Sequence, residues 1–138
     1  MRAFYKDKVI LISGCTGYLG KIILEKVLRS CSDFKKVYVL IRNKKGITVA
    51  KRLHQDIFNS PLFQNLFQKR PELVDVVKER VIAVQGDLII GKLGMLPADR
   101  DLLIKEVNII INSAASIDMT DSLRNMLQID YLGPARIL

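Results

Sequence analysis

Val9-Ile10-Leu11-Ile12-Ser13-Gly14-Cys15-Thr16-Gly17-Tyr18-Leu19-Gly20 is the stretch that decides the fold. Its first five residues are an apolar run of strand length, the pattern of a parallel strand covered on both faces. Glycines at 14, 17 and 20 end that run. From Gly20 the period becomes helical: Gly20, Ile23, Leu24, Val27, Leu28 and Cys31 recur at i, i+3, i+4, i+7, i+8 and i+11 along one face. Strand, glycine loop and helix in this order make a dinucleotide-binding fingerprint. Gly14 suits a tight turn, Gly17 a close approach of backbone to a pyrophosphate, and Gly20 close packing of helix on sheet. The phosphates would sit at the helix N-terminus, where unpaired N–H groups and the helix dipole favour negative charge. Gly14, Thr16, Gly17, Tyr18, Leu19 and Gly20 are therefore candidate cofactor residues. On this reading Gly17→Val abolishes dinucleotide binding, because a β-branched side chain fills the pyrophosphate's space and resists a positive φ.

The next strand runs over Lys35–Ile41, and the residues at its end select the cofactor. NAD-selective sites carry Asp or Glu there for the ribose 2′-hydroxyl. Here Arg42 stands at the strand end, with Lys44 and Lys45 behind it. A guanidinium grips a 2′-phosphate bidentately, so NADPH is expected over NADH; the plainer reading is a solvated basic loop. A third strand, Val81–Val84, is closed by Gly86 and followed by Asp87 and Leu88. The aspartate either accepts from an adenine amino group or serves only the turn. Ser113, Ala114 and Ala115 follow a fourth strand, Val107–Asn112. They are small enough for a nicotinamide ribose to lie against the backbone, although an ordinary tight loop would look similar.

Helices are expected from about Thr48 to Phe67, interrupted at Asn59-Ser60-Pro61, and over Glu72–Glu79, Pro97–Glu106 and Asp121–Leu132. Alternating strands and helices predict one α/β domain over residues 1–138. Its form is a Rossmann-like, doubly wound parallel sheet of about four strands with crossover helices. The sheet is expected to be incomplete, with an unpaired edge through which two copies could form a dimer.

Composition narrows the partners. At 138 residues, 49% hydrophobic and 26% charged, the chain is neither disordered nor collagenous. The net charge of +8 is concentrated in residues 1–60, which hold 13 Lys/Arg against 4 Asp/Glu. That bias suits an anionic partner. No zinc-finger spacing, basic heptad region or ribonucleoprotein motif is present, so a phosphorylated small molecule is expected rather than nucleic acid. Cys15 and Cys31 lack any CxxC or Cys/His spacing and read as free thiols of a reducing compartment, with no metal site. No apolar run approaches the ~20 residues that span a bilayer, and no signal peptide precedes Gly14. A cytoplasmic location is expected, or the cytosolic face of an organelle membrane if the chain is part of a longer protein.

Several further segments fall into line with the loop. They are Phe4-Tyr5-Lys6-Asp7-Lys8-Val9, Glu25-Lys26-Val27-Leu28-Arg29-Ser30-Cys31 and Tyr38-Val39-Leu40-Ile41-Arg42. Asn59-Ser60-Pro61-Leu62-Phe63, Gly86-Asp87-Leu88, Leu93-Gly94-Met95 and Asn112-Ser113-Ala114-Ala115-Ser116 complete the series. Their order and spacing resemble the extended short-chain dehydrogenase/reductases, and among these the N-terminal NAD(P)-binding domain of fatty acyl-CoA reductases. Cys15 stands where that family usually has alanine. Terminal thioester reductase domains of acyl-carrier systems share the framework and are the nearest alternative. The resemblance implies reduction of a long-chain acyl-CoA by NADPH to aldehyde and then fatty alcohol, with release of CoA. From another class, a non-catalytic NADP(H)-binding or regulatory module uses the same loop without chemistry.

The resemblance also implies a Tyr-x-x-x-Lys pair and a serine after a fifth strand. Four residues after Tyr5, Tyr18, Tyr38 and Tyr131 stand Val9, Ile22, Arg42 and Ala135, and no fifth strand is reached. No catalytic residue is carried over, and the isolated chain is expected to be inactive. Asn112 falls where the family often has histidine and sometimes asparagine, and Asp130 where asparagine is common. By periodicity Asp130 shares a face with Leu123, Met126 and Leu127, so it is either satisfied by a neighbour or lines the site. Pro134 removes the N–H that would reach the Asp130 carbonyl and predicts a kink. His54, beside Leu53 and Ile57, reads as a helix-face residue without a ligand role.

Overall fold

The structure is a computed structural model that describes residues 1–138. Val9–Ser13 form β1, Lys36–Ile41 β2, Val81–Gln85 β3 and Ile109–Asn112 β4. All pair in parallel, in the order β3-β2-β1-β4. The two inner strands are buried almost throughout, which is why they read as unbroken apolar runs. Along the edge strand β4, half-buried and exposed residues alternate.

Helix α1 (Arg2–Tyr5) precedes β1, and α2 (Tyr18–Ser30) connects β1 to β2. Between β2 and β3 lie α3 (Val49–Arg52), a π-helical turn (Leu53–Phe58), α4 (Pro61–Lys69) and α5 (Leu73–Arg80). The expected interruption is present: Pro61 opens α4 in its first turn, where a missing N–H costs no bond. α6 (Pro97–Glu106) leads to β4. That strand starts two residues later than expected. The Val107 N–H still closes α6 onto the Leu103 carbonyl at 2.9 Å, and the Asn108 side chain accepts from the Val9 N–H at 2.9 Å.

The last helix differs from expectation. It divides into α7 (Leu123–Met126), a π-helical turn (Leu127–Leu132) and α8 (Gly133–Ile137). Widening of the turn replaces the sharp kink, and Pro134 falls in the first turn of α8, where its ring needs no donor.

The sheet is covered on both faces, but unequally. Ile10, Ile12, Val37, Val39 and Ile41 pack with Leu24, Leu28, Phe63 and Leu73 from α2, α4 and α5 in a core of 18 buried residues. Val9, Leu11, Tyr38, Leu40 and Val84 face Leu88, Leu93 and Leu103 in a smaller core of eight. Cys15 and Cys31 are both buried and free.

One polar staple ties α6 to this thinner side. Tyr38 is 2% exposed, and its hydroxyl donates to Glu106 Oε2 at 2.7 Å, with Lys36 Nζ at 3.4 Å. The tyrosine's bond, with the nearby lysines, holds the Glu106 carboxyl below its ordinary value. Burial and the Glu106 carboxylate push the phenol up to about 12. A depressed carboxylate stabilises the fold above its unfolded pKa and loses that contribution as pH falls through the folded value. Tyr38→Phe is therefore expected to lower the urea midpoint at neutral pH. The gap to the parent should close as pH drops below the ordinary glutamate value of 4.5. A gap that persists unchanged at lower pH would remove Glu106 from the explanation.

Candidate functional site

The chain lays down β1, β2 and β3 outward, then returns past β1 to place β4, so the winding reverses between β1 and β4. Open α/β sheets form a ligand crevice at such a point, beyond the carboxyl ends of the strands. A cavity of about 220 Å³ lies there. Ser13, Gly14, Thr16 and Gly17 line it from the end of β1, Leu40 and Arg42 from β2, and Gly86, Asp87, Leu88 and Ile89 from β3. Ser113, Ala114 and Ala115 close it after β4, and Ile129 reaches it from the π-helical turn behind α7.

Nine of the candidate residues thus come together: Gly14, Thr16, Gly17, Arg42, Asp87, Leu88, Ser113, Ala114 and Ala115. Tyr18, Leu19 and Gly20 do not line the cavity. Tyr18 and Leu19 open α2 with exposed side chains, and their backbone N–H groups, in the first turn, have no partner inside the helix. Gly20 is buried, and a Cβ there would lie 2.2 Å from the Gly14 carbonyl oxygen; its part is the close seating of α2 on the loop.

The positive φ expected at Gly17 needs correction. Its φ is −85°, which any residue adopts, and an added Cβ would approach only the Gly14 oxygen, at 3.3 Å. The positive φ belongs to Gly14, at +78°. An added Cβ there would lie 2.6 Å from both the Ala114 nitrogen and the Ser113 carbonyl carbon. Gly14 is where the loop touches the segment after β4.

Three side chains stitch the ends of β1 and β4 together. The Ser13 hydroxyl donates to Asn112 Oδ1, the Ser113 hydroxyl donates to the Ser13 carbonyl at 2.7 Å, and the Ala114 N–H reaches Asn112 Oδ1 at 3.4 Å. Asn112 therefore acts inside the wall. Asp130 is satisfied by a neighbour: it accepts the Ser116 N–H at 2.8 Å. Asp87 Oδ1 accepts the Ile89 N–H at 3.1 Å, which shapes the turn after β3.

Arg42 is the one cation lining the cavity. Its carbonyl is held by Arg52 Nη1 at 2.5 Å, and Arg52 is itself fixed by Asp56 at 2.9 Å. Behind it the Ile47 N–H bonds the Lys44 carbonyl at 2.9 Å, with Gly46 at φ +80°. The basic residues after β2 thus sit on a hydrogen-bonded turn, with Arg42, Lys44 and Lys45 all exposed. Cys15 is buried beneath the glycine loop, and burial pushes its thiol up to about 12, which removes it as a nucleophile.

Sequence reasoning did not select Ser13, Leu40, Gly86, Ile89 or Ile129. Gly86 had a signal, since it closes β3: a Cβ there would lie 2.4 Å from Leu40 Cδ1. Ser13, Leu40 and Ile129 read as ordinary strand or helix residues.

The family described as male sterility protein, an NAD-binding domain, matches residues 12–138. Fatty acyl-CoA reductase 1 of Mus musculus is 35% identical over 135 residues, which are 98% of this chain and 25% of that protein. Fatty acyl-CoA reductase wat of Drosophila melanogaster is 34% identical over 100% of this chain and 26% of its own length. The chain spans about a quarter of the curated relatives it matches. Among solved structures, the terminal R domain from the myxalamid PKS-NRPS biosynthetic pathway aligns with a TM-score of 0.74 at 24% identity, over 96% of this chain and 31% of that one. It shares the Rossmann-like fold. With the family match beginning inside β1 and running through every later element, the chain belongs to the male sterility protein family of NAD-binding domains.

Proposed function

We propose that residues 1–138 act as one domain that holds NADPH, and that in the whole protein it serves reduction of a long-chain acyl-CoA to fatty aldehyde or alcohol. One observation carries the cofactor reading: a crevice at the winding reversal has the glycine loop on one side and Arg42 as its sole cation on the other. The pyrophosphate lies on Gly14–Gly17 and the first N–H groups of α2, where the helix dipole favours it. Arg42 takes the 2′-phosphate, Asp87 and Leu88 flank the adenine, and Ser113–Ala115 run beside the nicotinamide ribose. NADPH, when bound, supplies a hydride. The chain's own residues bind and orient it.

The acyl-CoA substrate is supported by the names of the relatives, and release of CoA follows from a thioester substrate. No helix of the chain is long and apolar enough to cross a membrane. A cytosolic setting, free or at an organelle surface, fits the NADPH reading. A second reading, a module that binds NADP(H) without turnover, is favoured by the crevice lining, which contains no tyrosine, lysine or histidine.

Arg42→Ala tests the cofactor assignment. Parent protein is expected to bind NADPH more tightly than NADH. Loss of a charge-assisted contact worth ~1.5–3 kcal/mol should narrow that preference roughly 10- to 100-fold. Calorimetric titration with both nucleotides measures it. Equal affinities in the parent would sink the 2′-phosphate assignment.

A further inference from the structure

A second cavity, larger than the crevice of the glycine loop, lies elsewhere in the chain. It measures about 590 Å³ and shares no residue with that crevice. It lies among the π-helical turn after α3, α4, α5 and the first residue of β3. Leu53, Phe58 and Val77 are buried in its apolar wall, and Phe58 meets Phe67 edge to face at 6.1 Å. The polar groups have a bias of their own. No aspartate or glutamate lines the cavity, whereas exposed Lys78 does, and Lys78 makes no ion pair in the chain.

The π-helical turn builds part of this wall. An α-helix would carry Asn59 away from His54, but the Asn59 N–H donates to the His54 carbonyl at 2.9 Å, five residues back. That bond sets Asn59 over His54, and both line the cavity together with Phe58. The volume lies within the ~300–1,000 Å³ typical of small-molecule sites, which are mostly apolar with a few placed polar groups. An apolar body would fill the wall, and an unpaired ammonium with no competing carboxylate selects a negative head.

We propose that this cavity is a second binding site, for a single-chain amphiphile with an anionic head, of the class of an alkyl carboxylate. The tail lies along Leu53, Phe58 and Phe67, and the head reaches Lys78. The site is independent of the dinucleotide reading.

Dodecanoate, kept below its micellar concentration, is the probe, and dodecylamine is the head-group control. Both are titrated into the 138-residue chain by calorimetry. Saturable binding of one dodecanoate per chain is expected, with dodecylamine at least about 10-fold weaker. Lys78→Glu, at an exposed position, should weaken dodecanoate roughly 5- to 10-fold without changing the melting temperature. Ala50→Phe should block the cavity, and the affinity for NADPH should stay at the parent value in both variants. Equal binding of the amine, uptake that never saturates, or indifference to Lys78→Glu would overturn the proposal. So would self-association that Ala50→Phe abolishes while dodecanoate fails to bind, since a second copy would then be the occupant.

Discussion

Gly14→Ala is expected to take away a large part of the chain's stability, whereas Gly17→Ala should leave it close to the parent's. Two costs coincide at Gly14. Its φ of +78° lies in the left-handed region, which charges an L-residue ~1–2 kcal/mol. Its Cβ would stand 2.6 Å from the Ala114 nitrogen and the Ser113 carbonyl carbon. Those atoms are backbone and cannot rotate aside, so the ends of β1 and β4 must separate. The hydrogen bonds from Ser113 to the Ser13 carbonyl would then stretch. Overpacking of this kind costs another ~1–3 kcal/mol, so the total is about 2–5 kcal/mol against a typical stability of about 5–15. Gly17 has no positive φ, and an added Cβ there meets only the Gly14 oxygen, at 3.3 Å. A shift of a few tenths of an ångström relieves that contact, while alanine also restricts the unfolded chain. Urea denaturation followed by far-ultraviolet circular dichroism separates the two variants. A Gly14→Ala midpoint near the parent's would show that the loop and the segment after β4 can part without loss.

The same contrast shows how far the sequence reaches. β1, the loop and α2 were legible because an inner parallel strand is buried on both faces and a surface helix on one, and each burial leaves its own period. Arg42 was legible by its place at the end of β2. Which glycine bears the positive φ was not legible. All three stand alike in the loop, and the atoms that decide it, in Ser113 and Ala114, lie about 100 residues downstream. The π-helical turns left no mark either, since six residues are too few to distinguish a widened turn from an α-helix. Ser13, Leu40 and Ile129 looked like core positions, and they become crevice lining only because the strand ends meet there. The bond from Tyr38 to Glu106 was not legible, because Glu106 is brought there by the packing of α6 and by nothing near Tyr38 in the chain.

Given NADPH and a long-chain acyl-CoA, the 138-residue chain is expected to bind the nucleotide without consuming it. Hydride transfer to a carbonyl places negative charge on its oxygen, and a positioned acid must meet that charge. The crevice offers none. Its lining includes no tyrosine, lysine or histidine. Tyr18 and Tyr131 lie outside it, 84% and 70% exposed. Of the three hydroxyls in the wall, Ser13 spends its proton on Asn112 and Ser113 on the Ser13 carbonyl, and the third, Thr16, is an alcohol too weakly acidic to protonate the oxygen unaided. Cys15 is buried, with its proton held up to a pKa of about 12. Absence of a general acid alone lowers the rate ~10²–10⁴-fold. Two measurements on one sample decide the matter: a binding titration that saturates with NADPH, and NADPH absorbance that falls no faster with protein and acyl-CoA than without protein. Sustained, protein-dependent oxidation at rates on the order of 1–10³ s⁻¹ would mean that the crevice holds a proton donor after all. Asp87, the only carboxylate lining it, would then be the first residue to replace, as Asp87→Asn.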